Sequence, residues 1–398
     1  MANFTGQLRS NEIFSALYNM IISQEVFADN LGKHQTLVDK ARVDGGLFGD
    51  TKLFYATDVL KSVAWGNDAE ATNLLALHRP DAPDCQAISL DVFRQISLTV
   101  DNYLSKRAWS SEGVFSSFTS IMLGWLRETK RVYDGTLYNV FIGTTETSVG
   151  AQEVSIDLTS ASAGDPLYGL TGVEKEKMEA MIISQAIADL LVAMGDYSRD
   201  FNDYANLRSY AEEAIKVIWN SKIVNKIRKV DLPTIFHKDG LVDKFEEEIL
   251  PSRYFGVVLT ASNMSTYSAS TPTAGKPIDS DDGSYVPGTN HANGCVRAVV
   301  EKDVTVGGVA YHVFPGDEIP SGATVKASGN FELGEAYIEQ DDIICKVLVK
   351  LPPYMSAFEV GTSFFNPKSL TTNHYLTFGH NKLEYLKNYP LITVKTND

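Results

Sequence analysis

The sequence predicts an α+β fold of several lobes, and three observations carry that expectation. One stretch alternates with the period of a strand, two longer stretches repeat with the period of a helix and carry helix-start signals, and the last third returns to short β patterns. With 398 residues the chain can bury a large core, and its length favours two or three lobes over a single body.

The strand signal is "ISLDVFRQISLTV", Ile88 to Val100. Ile88, Leu90, Val92, Ile96, Leu98 and Val100 fall on one side of an extended chain, and Ser89, Asp91, Gln95, Ser97 and Thr99 on the other. At about 3.3 Å per residue it spans roughly 40 Å, far beyond a usual strand of about 5–6 residues. Upstream, "KLFYATDVLKSVAW" places Leu53, Tyr55, Val59, Val63 and Trp65 on one parity, so the two runs predict an extended β-hairpin joined by a polar loop. A two-stranded hairpin alone is marginal in water, so its apolar stripe needs a cover, and its length points to another subunit as that cover. The candidate inter-subunit residues are Leu53, Tyr55, Val59, Val63, Trp65, Ile88, Leu90, Val92, Ile96 and Leu98.

Ahead of the hairpin, residues 1–44 read as an arm with a short amphipathic helix on Ile13, Leu17, Met20 and Ile21, ending in a glycine hinge at Gly45, Gly46 and Gly49. After it, Phe115, Phe118, Met122, Trp125, Leu126 and Val132 share one face of a long helix capped by Ser111, with Lys130 and Arg131 near its end. "LYNVFIGTTET" and "QEVSIDL" read as strands. A second helix starts at Thr171 and Glu174 in capping-box register, carries Met178, Met181, Ile182, Ile187, Leu190, Leu191 and Met194, and stops at Gly195. "AIKVIW" follows as a buried strand that turns at Asn220 and Ser221 into a short helix, which together predict an α/β lobe.

From about Thr260 the composition shifts to Ser, Thr, Gly, Pro and Asp, the mark of a loop-rich excursion with little core of its own. The predicted divisions are 1–44 arm, 45–110 hairpin, 111–160 long helix and strands, 161–260 α/β lobe, 261–340 β excursion and 341–398 returning strands.

Composition narrows the chemistry. The formal charge is −15, from 50 acids against 35 bases, which argues against gripping nucleic-acid phosphates as the surface's main task. Cys85, Cys295 and Cys345 are far apart and odd in number, so a reducing compartment is expected over a disulfide framework. The N-terminus does not read as a secretory signal, and an uninterrupted apolar run of membrane-spanning length is missing, so a membrane partner is not expected. "DSDDGSY" departs from a calcium loop at Gly283 and Asn290, and "TAGKP" from a phosphate loop at Ser270 and Pro277. Glu246, Glu247 and Glu248 read as a solvated helix face. The sequence thus predicts no catalytic residue, cofactor or metal.

The order of arm, glycine hinge, long hairpin, long helix, strands and α/β lobe resembles the Hong Kong 97-type major capsid protein of tailed bacteriophages, in particular small short-tailed phages of Gram-positive hosts. In that comparison "KLFYATDVLKSVAW" through "ISLDVFRQISLTV" is similar to the extended loop, and Phe115 to Tyr133 to the spine helix of the peripheral domain. "YNVFIGTTET" and "QEVSIDL" are similar to peripheral-domain strands, and the stretch from Met178 to Phe236 to the axial domain. The resemblance implies a non-enzymatic protein that self-assembles through pentamers and hexamers into an icosahedral shell. That shell would enclose double-stranded DNA without sequence-specific binding, with scaffold and portal proteins as partners. Its location would be the virion capsid after assembly in the host bacterial cytoplasm. Two other readings stand beside it: a tail or baseplate structural protein, and an α/β enzyme with a site near His374, His380 and Asp342.

Overall fold

The computed structural model describes residues 36–46, 50–62, 77, 79–101, 112–147, 152–224, 246–273, 275–287 and 294–397. Helices and sheets are mixed as the sequence predicts, and the chain divides into two units. One comprises Phe93–Val132 and Phe358–Gly379, the other Leu37–Val92, Tyr133–Ala357 and His380–Asp398.

The larger unit is built on a five-stranded sheet in the order β4 (Glu153–Asp157), β17 (Leu391–Asn397), β14 (Ile343–Leu348), β5 (Lys216–Asn220), β6 (Glu246–Leu250). β14 pairs antiparallel with both neighbours, while the outer pairs β17–β4 and β5–β6 are parallel. One face receives α3 (Gly172–Gly195), whose Ile183, Ile187, Leu190, Leu191 and Met194 pack with Val217, Ile344, Val347 and Ile392. The other face receives the C-terminal part of α2 (Glu112–Thr144) and the short α1 (Leu37–Ala41), through Tyr138, Ile142, Leu37 and Val38 against Ile218 and Leu348. Helix, sheet and helix form a three-layer sandwich.

Several expectations change here. α1 is buried, so the end of the predicted arm belongs to the body; Ile13 to Ile21 lie outside the described residues. Gly45 sits inside β1 (Arg42–Gly46), where a Cβ would meet Ser356 O at 2.7 Å and Leu90 Cδ1 at 3.0 Å. It is a close-approach glycine rather than a hinge. "LYNVFIGT" is helical, not extended: Tyr138 and Ile142, one turn apart, seat α2 on the sheet, and that packing overrides the strand preference of their residue types. β4 joins the sheet of β5. Glu246 to Glu248 form part of β6, not a helix face, and Glu248 pairs with Lys40.

α3 begins at Thr171 as predicted, but the threonine side chain makes no capping hydrogen bond. Its buried stripe runs through Ala180, Ile183, Ile187, Leu190 and Met194, which turns Met178 and Met181 outward. By length and composition α3 could cross a membrane, yet its apolar stripe is spent on the sheet.

Residues 256–339 do have a core of their own. Leu259, Ile278, Tyr285, Val296, Ile319, Phe331 and Ile338 cluster between β7 (Gly256–Val258), β10 (Val296–Ala298) and β13 (Ala336–Glu339), in the sheet order β10-β13-β7. Two short strands, β8 (Ser268–Ala269) and β9 (Ile278–Asp279), pair in parallel, and a hairpin, β11 (Lys302–Val306) and β12 (Val309–Val313), turns through Gly307 and Gly308, both at positive φ. Entry and exit are adjacent, because Gly256 pairs with Glu339.

Of the smaller unit, β3 (Asp84–Asp101) contributes its second half, which lies in the order β15 (Tyr354–Asn366), β16 (Thr371–Asn381), β3. Gln95 donates to Thr377 Oγ1 and Thr99 to Asn373 Oδ1, so the polar side of the alternation is a cross-strand hydrogen-bond ladder. Lys130 pairs with Glu359 at 3.4 Å and lies over the Phe378 ring.

Candidate inter-subunit surface

Among the described residues, the paired part of the hairpin is short. β2 (Thr51–Ala56) pairs antiparallel with Asp84 to Ser89, Thr51 opposite Ser89 and Ala56 opposite Asp84. With a period of two, the inner face takes Lys52, Phe54, Ala56, Gln86 and Ile88, and the outer face takes Leu53, Tyr55, Cys85 and Ala87.

The ten candidate residues therefore separate. Ile88 is 1% exposed and Leu90 2%, so this chain covers them itself and they are removed from the inter-subunit set. Val92, Ile96 and Leu98 are half-buried. Leu53 is 51% exposed, Tyr55 65% and Val59 50%, and next to them Leu60, outside the alternation, is 79% exposed. Val63 and Trp65 lie outside the described residues. Alternation alone sets the β2 and β3 stripes on a common face, whereas the register puts Leu53 opposite Ala87 and Ile88 on the reverse side.

Charged and polar groups fix the root of the hairpin. Arg208 donates to Thr57 O at 2.6 Å, and Asp58 accepts from Arg199 Nη1 at 2.7 Å and from the Leu207 N–H at 2.9 Å. The Leu207 N–H, and after it Arg199, hold the Asp58 carboxyl at about 2, below the ordinary 3.8. On the returning strand Gln86 donates to Tyr385 O and accepts from the Lys387 N–H, at 2.9 and 3.0 Å. Farther out, Lys61 and Asp81 pair across the two legs at 3.0 Å. Sequence reasoning found none of these partners, because Arg199, Leu207 and Arg208 are remote in the chain.

The histidines of the enzyme reading are engaged separately. His374 Nδ1 lies 2.8 Å from Ser363 Oγ, and burial lowers its pKa. His380 Nδ1 donates to Asn381 O at 2.8 Å, and its Nε2 lies 2.9 Å from Tyr133 OH. Beside it Tyr354 donates to Asp134 at 2.6 Å, with Arg42 on the other carboxylate oxygen at 3.3 Å. Among the described residues, no three His, Cys, Asp or Glu side chains converge as a metal site.

A three-layer sandwich that takes Tyr138 and Ile142 of α2 on one face, a β2–β3 hairpin, and the strand order β15-β16-β3 together define a Hong Kong 97-type fold. In this fold the chain is similar to a chain of the capsid structure of Staphylococcus phage Andhra, at a TM-score of 0.52 and 12% identity over 94% of this chain and 88% of that one. Two further chains superimpose more loosely. One is from a structure of head fiber and inner core protein gp22 of native bacteriophage P68, with TM-score 0.49, 9% identity and coverage of 93% and 90%. The other is from the mature capsid of bacteriophage PhiM1, with TM-score 0.42, 8% identity and coverage of 94% and 91%. No protein-family model and no curated protein matches the sequence.

Proposed function

We propose that the chain is the major capsid protein of a tailed phage, a structural protein that assembles through pentamers and hexamers into a closed shell around double-stranded DNA. The observation that carries this reading is the hairpin root, where Leu53 and Tyr55 on the outer face, and Val59 and Leu60 beyond it, stay exposed on a Hong Kong 97-type body. Covering a Leu or comparable side chain is worth about 1.5–3 kcal/mol, so a neighbouring copy laid over this patch gains several kcal/mol before ordering costs. Repetition around a closed shell makes such modest contacts add up. The charge of −15 suits a container past whose wall DNA must slide, since a basic wall would hold its phosphates. Scaffold and portal proteins, and assembly in the host cytoplasm, belong to the same proposal.

Sizing and negative-stain imaging of the purified chain, expressed with its scaffold, test it. Particles in the megadalton range are expected, and a Leu53→Ser, Tyr55→Ser, Leu60→Ser variant is expected to keep its thermal transition while losing them. A chain that stays a monomer or small ring under these conditions overturns the proposal.

A further inference from the structure

We infer that residues 198–208 form a preorganised clasp that sets the direction in which the hairpin legs leave the body. The receptacle is held together by bonds of its own. Ser198 and Arg208 close it with two backbone hydrogen bonds, at 3.0 and 2.9 Å. Inside, Asn202 and Asn206 are buried and bond reciprocally: Asn202 Nδ2 donates to Asn206 O at 2.7 Å, and the Asn206 N–H donates to Asn202 Oδ1 at 2.8 Å. Ala205 is held at φ 52°, a left-handed conformation that costs a non-glycine residue energy and persists only where the surroundings enforce it. A further bond, from the Asp203 N–H to Lys387 O at 2.8 Å, ties the loop to the segment that also holds Gln86.

Into this loop the outgoing leg inserts two consecutive residues. Arg199 Nη1 reaches Asp58 and the Ala205 carbonyl, at 2.7 and 2.6 Å, so one guanidinium ties the leg to the strained turn. The Leu207 N–H and Arg208 add a bond each, to Asp58 and Thr57. Three donors on one loop thus converge on a single dipeptide, while on the returning leg Asn206 approaches Asp84 at 3.4 Å. A strand pair that merely ended here would need no such arrangement, because exposed backbone at a strand end is satisfied by water. The Arg199–Asp58 pair is partly exposed, with 49% and 33% of the side chains accessible, so it is screened by salt and can open without unfolding the sandwich. Closed, the clasp gives the legs one exit direction; open, the outgoing leg pivots at Thr57 and Asp58. This rests on the shell reading for its use: one sequence must lay its hairpin on neighbours at more than one angle, and the clasp fixes which angle is preferred.

The test uses the full chain with Cys85→Ser, which removes the exposed native thiol, and spin labels on Leu60→Cys and on Val192→Cys of α3. Electron-spin distance measurements are expected to give a narrow distribution, which Asp58→Ala and Arg199→Met each broaden while the thermal transition is retained. Hydrogen exchange at the Leu207 amide is expected to speed up by about tenfold or more in Asp58→Ala. An unchanged distribution in both variants overturns the clasp. In assembly, Asp58→Ala is expected to yield particles of mixed size where the unaltered chain yields one size; identical particles overturn its geometric role. If the unaltered chain gives no particles, the shell proposal fails, and the distance measurement still decides the clasp.

Discussion

Lys346 lies in the middle of β14, fully buried, under the C-terminus of α2. Its Nζ donates to Thr145 O at 2.9 Å and Thr393 Oγ1 at 2.8 Å. Burial is the largest influence on this amine and lowers its pKa from 10.5 to about 8, while Glu146 acts in the opposite direction. At about 1.4 kcal/mol per pH unit, the gap between those values corresponds to about 3 kcal/mol that the folded state loses by keeping the amine charged. Below pH 8 both folded and unfolded chains are protonated and the loss is complete. Between pH 8 and 10.5 the unfolded chain holds more protons than the folded one, so stability rises with pH. In Lys346→Met that rise disappears, and the Thr145 carbonyl loses its donor at a cost of about 1–3 kcal/mol. The two effects nearly offset at pH 7, so the informative quantity is the slope. Urea unfolding followed by the fluorescence of Trp219, in the neighbouring strand β5, is expected to show the unaltered chain gaining about 3 kcal/mol on the variant from pH 7 to 10.5. Parallel pH curves would refute the reasoning.

Three further outcomes follow from the packing. Gly143→Ala drives a Cβ into the Tyr254 carbonyl, where α2 meets the turn before β7, and is expected to cost several kcal/mol, read as a drop in Tm by calorimetry. Tyr354→Phe removes the 2.6 Å bond to buried Asp134 and is expected to cost about 1–3 kcal/mol in chemical denaturation; a change under 0.5 kcal/mol, of either sign, contradicts it. Leu90→Ala is expected to lower the stability of the single chain by about 2–5 kcal/mol, whereas Leu53→Ala leaves it within about 0.5 kcal/mol; equal effects in the two melting curves would mean that the burial contrast is wrong.

Where local pattern and tertiary packing agree, the sequence predicts the element well. α3 is the clearest case, since its start after Thr171, its end at Gly195 and the buried Ile187, Leu190, Leu191 and Met194 follow from local pattern, although the Thr171 side chain makes no cap and Met178 and Met181 face outward. Where they compete, the pattern misleads: Tyr138, Val140, Phe141 and Ile142 have strand composition, yet a helix lets Tyr138 and Ile142 reach Ile218 and Leu348 together. The core of residues 256–339 was hidden for another reason. Its members, from Leu259 to Ile338, sit singly on short strands separated by turns, so no window shows a period. The clasp was illegible because an arginine and an aspartate far apart in sequence carry no local mark of their pairing.

The long alternation from Ile88 to Val100 marks an exposed interface less directly than its period suggests. A strand shows this pattern whenever its two faces differ, whether the apolar one meets its own chain or another. Here the first part, Ile88 and Leu90, is closed by the chain itself, and the polar face of the second part spends Gln95 and Thr99 on β16. Among the described residues of the hairpin, the opposite face of the root, Leu53 and Tyr55, stays open, with Val59 and Leu60 beyond it. An interface limited to these four side chains would be small for a stable dimer, which commonly buries more than about 1,200 Å². A chain that associates through such patches is therefore suited to many weak, repeated contacts rather than one strong pair, and the angle of each hairpin then matters more than the affinity of any one of them.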